Sequence, residues 1–419
     1  MADASWLDGS SAAFRLMIAT SWLAPESWRK KQEEAILEAV GANLDWMEYI
    51  RLVDRHRTPA LGWAALKRVP NLKIPEYVAQ QLQKGSDACR RQGLTHSMLL
   101  AVVLKGLNRA GIPAMSLKGP ILSFDLYGDI GLRQSNDLDL EVLQEDIVPA
   151  VNCLEGLGWH LESEYSPPSP RQWKSFLEHE RHITLLRSKG CTLEVHWRSD
   201  WDGPEKPSLR WTSSIPSVWQ GCSLQKMHPI DLLLYLSNHG ADHAWFRAKW
   251  LGDLARIHAT GLMDWRATLE HARAAKQTRA LLTGLLLLRE VYGLPLPDLP
   301  EEAWREVPRS LIKASLRALR VSEEPGTGPL AIARAGLARR RRARLINPER
   351  TWRETVASLA YAPGNLFVLR LPDSLFWAYA PLSPILFAWR LAMRGKLAKR
   401  SINNPAPQSG PGAIPRPRI

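Results

Sequence analysis

The sequence predicts an α+β protein in which a small mixed sheet is flanked by N-terminal and C-terminal helical regions. Two changes of periodicity carry that expectation. Apolar residues recur at helical spacing within 11–110, clearest at 35–40 and 98–104. Between 112 and 200 short stretches alternate with period 2, and from Pro229 helical spacing returns. At 419 residues the chain exceeds one small core, so two or three domains are expected.

Taken in order, Gly111-Ile112-Pro113 stops the helix through 98–104. Residues 114–117 are a short strand candidate. Lys118-Gly119-Pro120 follows, with a helix running to Tyr127 from a proline suited to its first turn. Residues 138–142 alternate as a strand with one buried face. Residues 144–157 read as a helix that Gly158 closes. Strands at 182–186 and 192–197 are joined through Ser188-Lys189-Gly190, a hairpin turn. Helices are expected at 230–239, 246–258 and 278–292, then a proline-rich loop at 295–300 and a boundary at 325–329. The resulting organisation is an N-terminal helical region (1–111), an α/β core (112–200), a helical domain (201–325), a basic helical segment (326–402) and a disordered tail (403–419).

The net charge of +13 is unevenly placed. Residues 331–419 hold 16 Lys/Arg against 3 Asp/Glu, so the rest of the chain is neutral overall. The excess therefore does not mark the core as a nucleic-acid surface. It points to an anionic partner or membrane surface for the C-terminal segment, or to a solvated helix face. The run Arg339 to Arg342 with Arg344 lacks interleaved aromatic residues for base stacking. Residues 374–389 are uncharged but contain Pro381 and Pro384, and 16 residues fall short of the about 20 that span a bilayer. No transmembrane helix is expected, and Phe376, Trp377, Leu382, Phe387 and Trp389 are expected to be buried. Four cysteines without C-x-x-C spacing and a start lacking signal-peptide character predict a cytoplasmic protein.

The chemistry concentrates in the core. Asp137 and Asp139, two apart on a strand, project from one face while Leu138 and Leu140 turn to the other. Glu194 stands opposite to Leu193 and Val195 in the same way. If the two strands are neighbours, three carboxylates converge on an open face. Such carboxylates repel, and a cation between them relieves the repulsion. Hard oxygen ligands of this kind suit Mg²⁺, which also takes substrate phosphates.

The succession Leu117-Lys118-Gly119, Leu126-Tyr127-Gly128, Gly131-Leu132-Arg133, Asp137-Leu138-Asp139-Leu140 and Leu193-Glu194-Val195-His196-Trp197 resembles the uncharacterised nucleotidyltransferase family of the DNA polymerase β-like superfamily. Leu236-Ser237-Asn238-His239, Trp250-Leu251-Gly252-Asp253 and Leu371-Pro372-Asp373-Ser374 extend the likeness over roughly 10–395. The resemblance implies a nucleotidyltransferase sheet and transfer of a nucleotidyl group from an NTP such as ATP. It implies Mg²⁺, with Mn²⁺ as the alternative, held by Asp137, Asp139 and Glu194. Glu194 would also help remove the acceptor proton. Lys118, Gly119 and Arg133 would meet the nucleotide phosphates. The acceptor would be a hydroxyl or phosphate of a small molecule, peptide or glycan precursor. RNA or protein nucleotidylation and a non-catalytic nucleotide-binding role remain as alternatives. Three departures stand out: Pro120 follows the glycine where serine is usual, Asp137 stands 18 positions after Gly119 where the spacing is usually tighter, and Glu194 replaces the more usual Asp.

Other histidines have competing readings. His239 and His243 face the same way on a helix and would need Asp242 or Asp253 to complete a zinc site; otherwise they pack or touch substrate. His196 shares the face of Glu194, and either approaches the metals or hydrogen-bonds a neighbour.

Overall fold

The computed structural model describes residues 7, 9–161, 169–187, 191–198, 209–321, 329–348, 361, 365 and 368–390. They form a mixed α and β architecture, one seven-stranded sheet with flanking helices, as the periodicity predicted. The chain divides into two compact units. One comprises Met1–Glu162 and Arg181–Ser322, the other Ser163–Glu180 and Glu323–Ile419.

In the first unit α1 (Ala12–Thr20), α2 (Glu26–Gly41), α3 (Trp46–His56), α4 (Pro59–Arg68) and the long α5 (Glu76–Arg109) precede the sheet. Helix α5 ends where Gly111 adopts φ +71° and the Ile112 amide bonds back to Leu107 O. Then come β1 (Met115–Ser116), α6 (Gly119–Tyr127), β2 (Asp137–Glu141), α7 (Ile147–Gly156) and β3 (His160–Leu161). Helix α8 (Pro170–His179) belongs to the second unit. After it follow β4 (His182–Arg187), β5 (Cys191–His196), α9 (Leu209–Thr212), β6 (Ile215–Trp219) and β7 (Cys222–Lys226). Helices α10 (Pro229–Asp242), α11 (Ala248–Ala259), α12 (Trp265–Ala274), α13 (Thr278–Tyr292), α14 (Glu301–Arg305) and α15 (Arg309–Arg320) complete the unit.

The sheet order is β3-β4-β5-β2-β1-β7-β6. At its centre β2 and β5 run parallel, while β4 pairs antiparallel with β5. The turn expected at 188–190 lies outside the described residues, as does the tail at 403–419. The hairpin β6–β7 continues the sheet past residue 200, where the sequence suggested no strand. Pro216, Ser217 and Gln225 blur the apolar alternation there, and β7 gains its place by pairing parallel with β1.

Leu138, Leu140, Leu193 and Val195 are buried on one sheet face, where α5 and α6 pack against β2. At the end of α10, the Trp245 amide bonds to Gly240 O, and the indole lies where any Cβ on Gly240 would collide with it. That contact fixes the turn from α10 into α11, the two helices that reach the polar end of the sheet.

In the second unit Ser169 caps α8 by accepting from the Gln172 amide, and its hydroxyl donates to Asp373 Oδ1 at 2.7 Å. Phe376, Tyr379 and Leu386 form a core with Leu369, Leu371 and Leu382 around them. The unit also holds α16 (Pro329–Ile346), which carries the arginine run. The expectation of full burial for the aromatic residues here is corrected. Phe376 is buried, but Trp377 is 63% and Trp389 58% exposed, and Phe387 is exposed as well. In the helix through 379–390 the inward stripe is Leu382, Ser383 and Leu386, which leaves Ile385 and Trp389 pointing outward. Among the described residues no helix is long and apolar enough to cross a membrane.

Candidate active site

The register of β2 on β5 sets Asp139 directly opposite Glu194 and Asp137 opposite Thr192. The pleat then places Asp137, Asp139, Glu141, Glu194 and His196 on one face, with the leucines and valines beneath. This face is not open, as the sequence reading supposed. Asp139 is 4% and Glu141 0% exposed, because side chains from α9 and α10 cover them. A strand with carboxylates on a buried face is tolerated only where cations or donors meet them, and each is met differently.

Glu141 is closed off. Arg210 Nη2 donates to its Oε2 at 2.7 Å and Trp211 Nε1 to its Oε1 at 2.8 Å. Sequence reasoning passed over Glu141, although the unbroken alternation Asp137-Leu138-Asp139-Leu140-Glu141 places it on the same face. Nothing in the spacing signalled that Arg210 and Trp211 would arrive.

Asp139 and Glu194 meet longer contacts. Lys118 Nζ lies 3.6 Å from Asp139 Oδ1, and His196 Nε2 lies 3.5 Å from Asp139 Oδ1 and 3.5 Å from Glu194 Oε2. Among the described residues Asp139, Glu194 and His196 are the one group of three with ligand atoms mutually within 4.8 Å. The group does not include Asp137, which is half-buried nearby. Burial, and then the charges of Asp139 and Glu194, raise the Asp137 carboxyl above its usual range. Asp139 shifts the other way: burial alone would raise it, but Lys118 and then His196 hold it well below the carboxylate range. Burial likewise opposes charge on Lys118, yet Asp139 outweighs it and keeps the ammonium.

Lys118 precedes α6 and sits over the Tyr235 ring of α10, which Arg210 also approaches. Burial pushes the Tyr235 phenol up to about 12. Gly119 adopts φ +76°, a left-handed conformation that disfavours any side chain, whereas a Cβ there would find only ordinary contact with Leu138. Its need is conformational: it turns the chain from Lys118 into the first turn of α6.

Arg133 lies elsewhere in the network. It is 4% exposed, and its Nε donates to both oxygens of Asp253 on α11, at 3.0 and 2.9 Å. The backbone amide of Arg133 donates to Ser123 Oγ, and Lys249, one turn before Asp253, donates to Gln134 O at 2.9 Å. So α11 grips the segment that leads into β2. That carboxylate partner was absent from the sequence reading, which directed Arg133 at phosphates. His239 and His243 have ring centroids 4.8 Å apart and both pack on Trp250, while Asp253 is engaged by Arg133. The pair is therefore part of an aromatic cluster. A cavity of about 380 Å³ lies between α5 and the β6–β7 hairpin, lined by Lys105, Asn108, Arg109 and Gln220 among others; none of the carboxylates borders it.

The donor set fits a divalent cation: two carboxylate oxygens and an imidazole nitrogen converge, and that buried nitrogen has no hydrogen-bond partner. A family model described as an uncharacterised nucleotidyltransferase matches residues 42–293, from the end of α2 to the end of α13. No curated protein and no solved structure matches the chain.

Proposed function

This chain belongs to the uncharacterised nucleotidyltransferase family, and from that premise we propose that it transfers a nucleotidyl group from an NTP to an acceptor hydroxyl or phosphate. The single observation that carries the reading is the in-register pair of Asp139 and Glu194, with carboxylates that no short hydrogen bond closes off. Asp137, Asp139 and Glu194 would hold a divalent cation, Mg²⁺ being the ion that oxygen ligands suggest. When bound, such an ion neutralises charge at the phosphorus and on the leaving oxygen.

The remaining steps fall to the chain's own groups. Lys118, kept charged by Asp139, is placed to meet a phosphate oxygen, and Gly119 lets the backbone turn beside it. The acceptor oxygen forms a bond to the α-phosphorus as the bond to the bridging oxygen breaks, and pyrophosphate leaves. The proton of an acceptor hydroxyl passes to Glu194, whose side chain is 25% exposed and so reachable. Arg133 braces β2 through Asp253, and any contribution to the phosphates would come from its remaining nitrogens. A small molecule, peptide or glycan precursor is the acceptor class we favour.

Pyrophosphate release from each of the four NTPs, with Mg²⁺ or Mn²⁺, tests the reading. Metal-dependent release that Asp139→Asn abolishes supports it. Nucleotide binding without release under every metal and acceptor condition would leave a binding protein instead.

For the basic C-terminal segment we propose an anionic surface as partner. The support is the positive excess of 331–419 together with Trp377, Ile385 and Trp389 standing exposed in the same unit. Apolar side chains that enter a lipid interface beside arginines bind it by both effects.

A further inference from the structure

Within the carboxylate cluster one residue is unlike the rest. His196 is a base among acids, 9% exposed, and its Nε2 points between Asp139 and Glu194 without a hydrogen-bond partner. We propose that His196 supplies a nitrogen ligand to the cation held there, and that this nitrogen makes the site select Mn²⁺ over Mg²⁺. The proposal rests on reading Asp139 and Glu194 as metal ligands, and adds a nitrogen ligand beside the carboxylates and the identity of the ion.

Distance is the first argument. A ring nitrogen that merely hydrogen-bonded a carboxylate would approach to about 2.7–2.9 Å, the range of charge-assisted bonds. Here it stands 3.5 Å from two carboxylate oxygens at once. The three ligand atoms lie within 4.8 Å of one another, and the nitrogen stands slightly too far from either oxygen for a bond, which leaves a point between them for a cation.

Strand geometry is the second argument. Glu194 and His196 are i and i+2 on β5, so their side chains leave the same face, and Asp139 faces Glu194 across the ladder. The ring is also held from behind. His182, paired with His196 across β4 and β5, lies with its ring 5.0 Å away at 31°. Its packing keeps the His196 ring turned toward the carboxylates.

Ligand chemistry then chooses the ion. Mg²⁺ is a hard cation that takes oxygen ligands and keeps its waters. Imidazole suits the later divalent ions; Mn²⁺ begins that series, shares the carboxylate and phosphate oxygens that suit Mg²⁺, and takes a nitrogen ligand more readily than Mg²⁺ does. A site of three oxygens would not discriminate in this way.

The test uses the full chain, Mn²⁺ alone and no nucleotide. Pulsed electron paramagnetic resonance of bound Mn²⁺ should show modulation from a directly coordinated ¹⁴N. Growing the protein with ¹⁵N-histidine should convert that modulation to the ¹⁵N pattern, which needs no variant. His196→Gln should remove it and weaken Mn²⁺ binding about tenfold or more, while Mg²⁺ binding, read by competition, changes far less. Mn²⁺ bound without nitrogen coupling overturns the proposal but leaves the carboxylate site standing. Nitrogen coupling that survives in His196→Gln assigns the ligand to another residue and also overturns it. Failure of wild-type protein to bind either ion would remove the metal reading itself. Asp139→Asn, expected to abolish Mn²⁺ binding, tests that reading separately.

Discussion

Asp139 and Glu141 lie two residues apart on one face of β2, both buried, yet their surroundings differ in kind. Glu141 accepts two short bonds, from Arg210 and Trp211, and has no capacity directed at a ligand. Asp139 meets an ammonium and an imidazole at 3.5–3.6 Å, which leaves its oxygens available. Burying a charge is costly in both cases. At Glu141 the neighbouring residues satisfy it fully, and at Asp139 they do so only in part. On the function we propose, contact length separates the reactive Asp139 from the structural Glu141, rather than burial or position on the strand.

The largest effect that could break this comparison is in turnover. Asp139→Asn should lower pyrophosphate release by roughly a thousandfold, the scale of several kcal/mol that a metal ligand contributes, with the fold retained. Circular dichroism and the thermal midpoint check the second half. If Asp139→Asn instead unfolds the protein, Asp139 belongs with Glu141 as a structural group. Glu141→Gln should do the reverse and destabilise by about 3–5 kcal/mol, since it removes a buried charge that Arg210 meets at 2.7 Å. A denaturant midpoint equal to wild type would show that Arg210 finds another acceptor.

Arg133 extends the closed class. Because its Nε is spent on Asp253, Arg133→Lys should cost stability at least as much as NTP affinity. A raised KM for the NTP with an unchanged thermal midpoint would restore it to the nucleotide site.

A pH measurement sharpens the comparison for neutral groups. His56 is fully buried, accepts from the Ala248 amide through Nδ1, and is pushed down to about 3 by burial and then by Arg55. The unfolded ring titrates near 6.5. Below that value the unfolded state takes up a proton that the folded state refuses. The stability His56 contributes is thus complete above about 6.5 and is lost as pH falls toward 3. Thermal midpoints across this window should fall less steeply in His56→Asn than in wild type. Equal slopes would mean that other groups dominate the acid limb.

The smallest expected effect concerns the second unit. Flotation with vesicles containing an anionic lipid should decline when salt is raised or when Trp377 and Trp389 are both changed to Ser, because screening and apolar insertion act together. Binding to neutral vesicles of equal strength would refute charge as a cause.

What the sequence made legible follows from which interactions are local. Alternation along 138–142 and 192–197 revealed the strands and the face of Asp137, Asp139 and Glu194, because the pleat depends only on neighbours in the chain. Their side-by-side register was a condition that spacing alone could not meet, since pairing joins residues more than fifty positions apart. The roof over that face was illegible for the same reason: Arg210, Trp211 and Tyr235 arrive from beyond residue 200. So was the Asp253 partner of Arg133, 120 positions away. The exposed Trp377 and Trp389 misled in the other direction, because apolar character says that burial is favourable and not that a surface is at hand.

The second unit is assembled from two distant stretches, and this bears on how the protein is made. Helix α8 emerges between β3 and β4, but Asp373 and Leu371, which tie down its start, come almost two hundred residues later. At a synthesis rate of about 5–20 residues per second, α8 waits roughly ten seconds or more for its partners. During that interval Ser169, Arg171 and Gln172 lack their partners at Leu371 and Asp373, while β4 and β5 are already free to pair. Newborn chains should therefore present α8 to chaperones and proteases at a defined moment, and a ribosome stalled before residue 371 would hold it there.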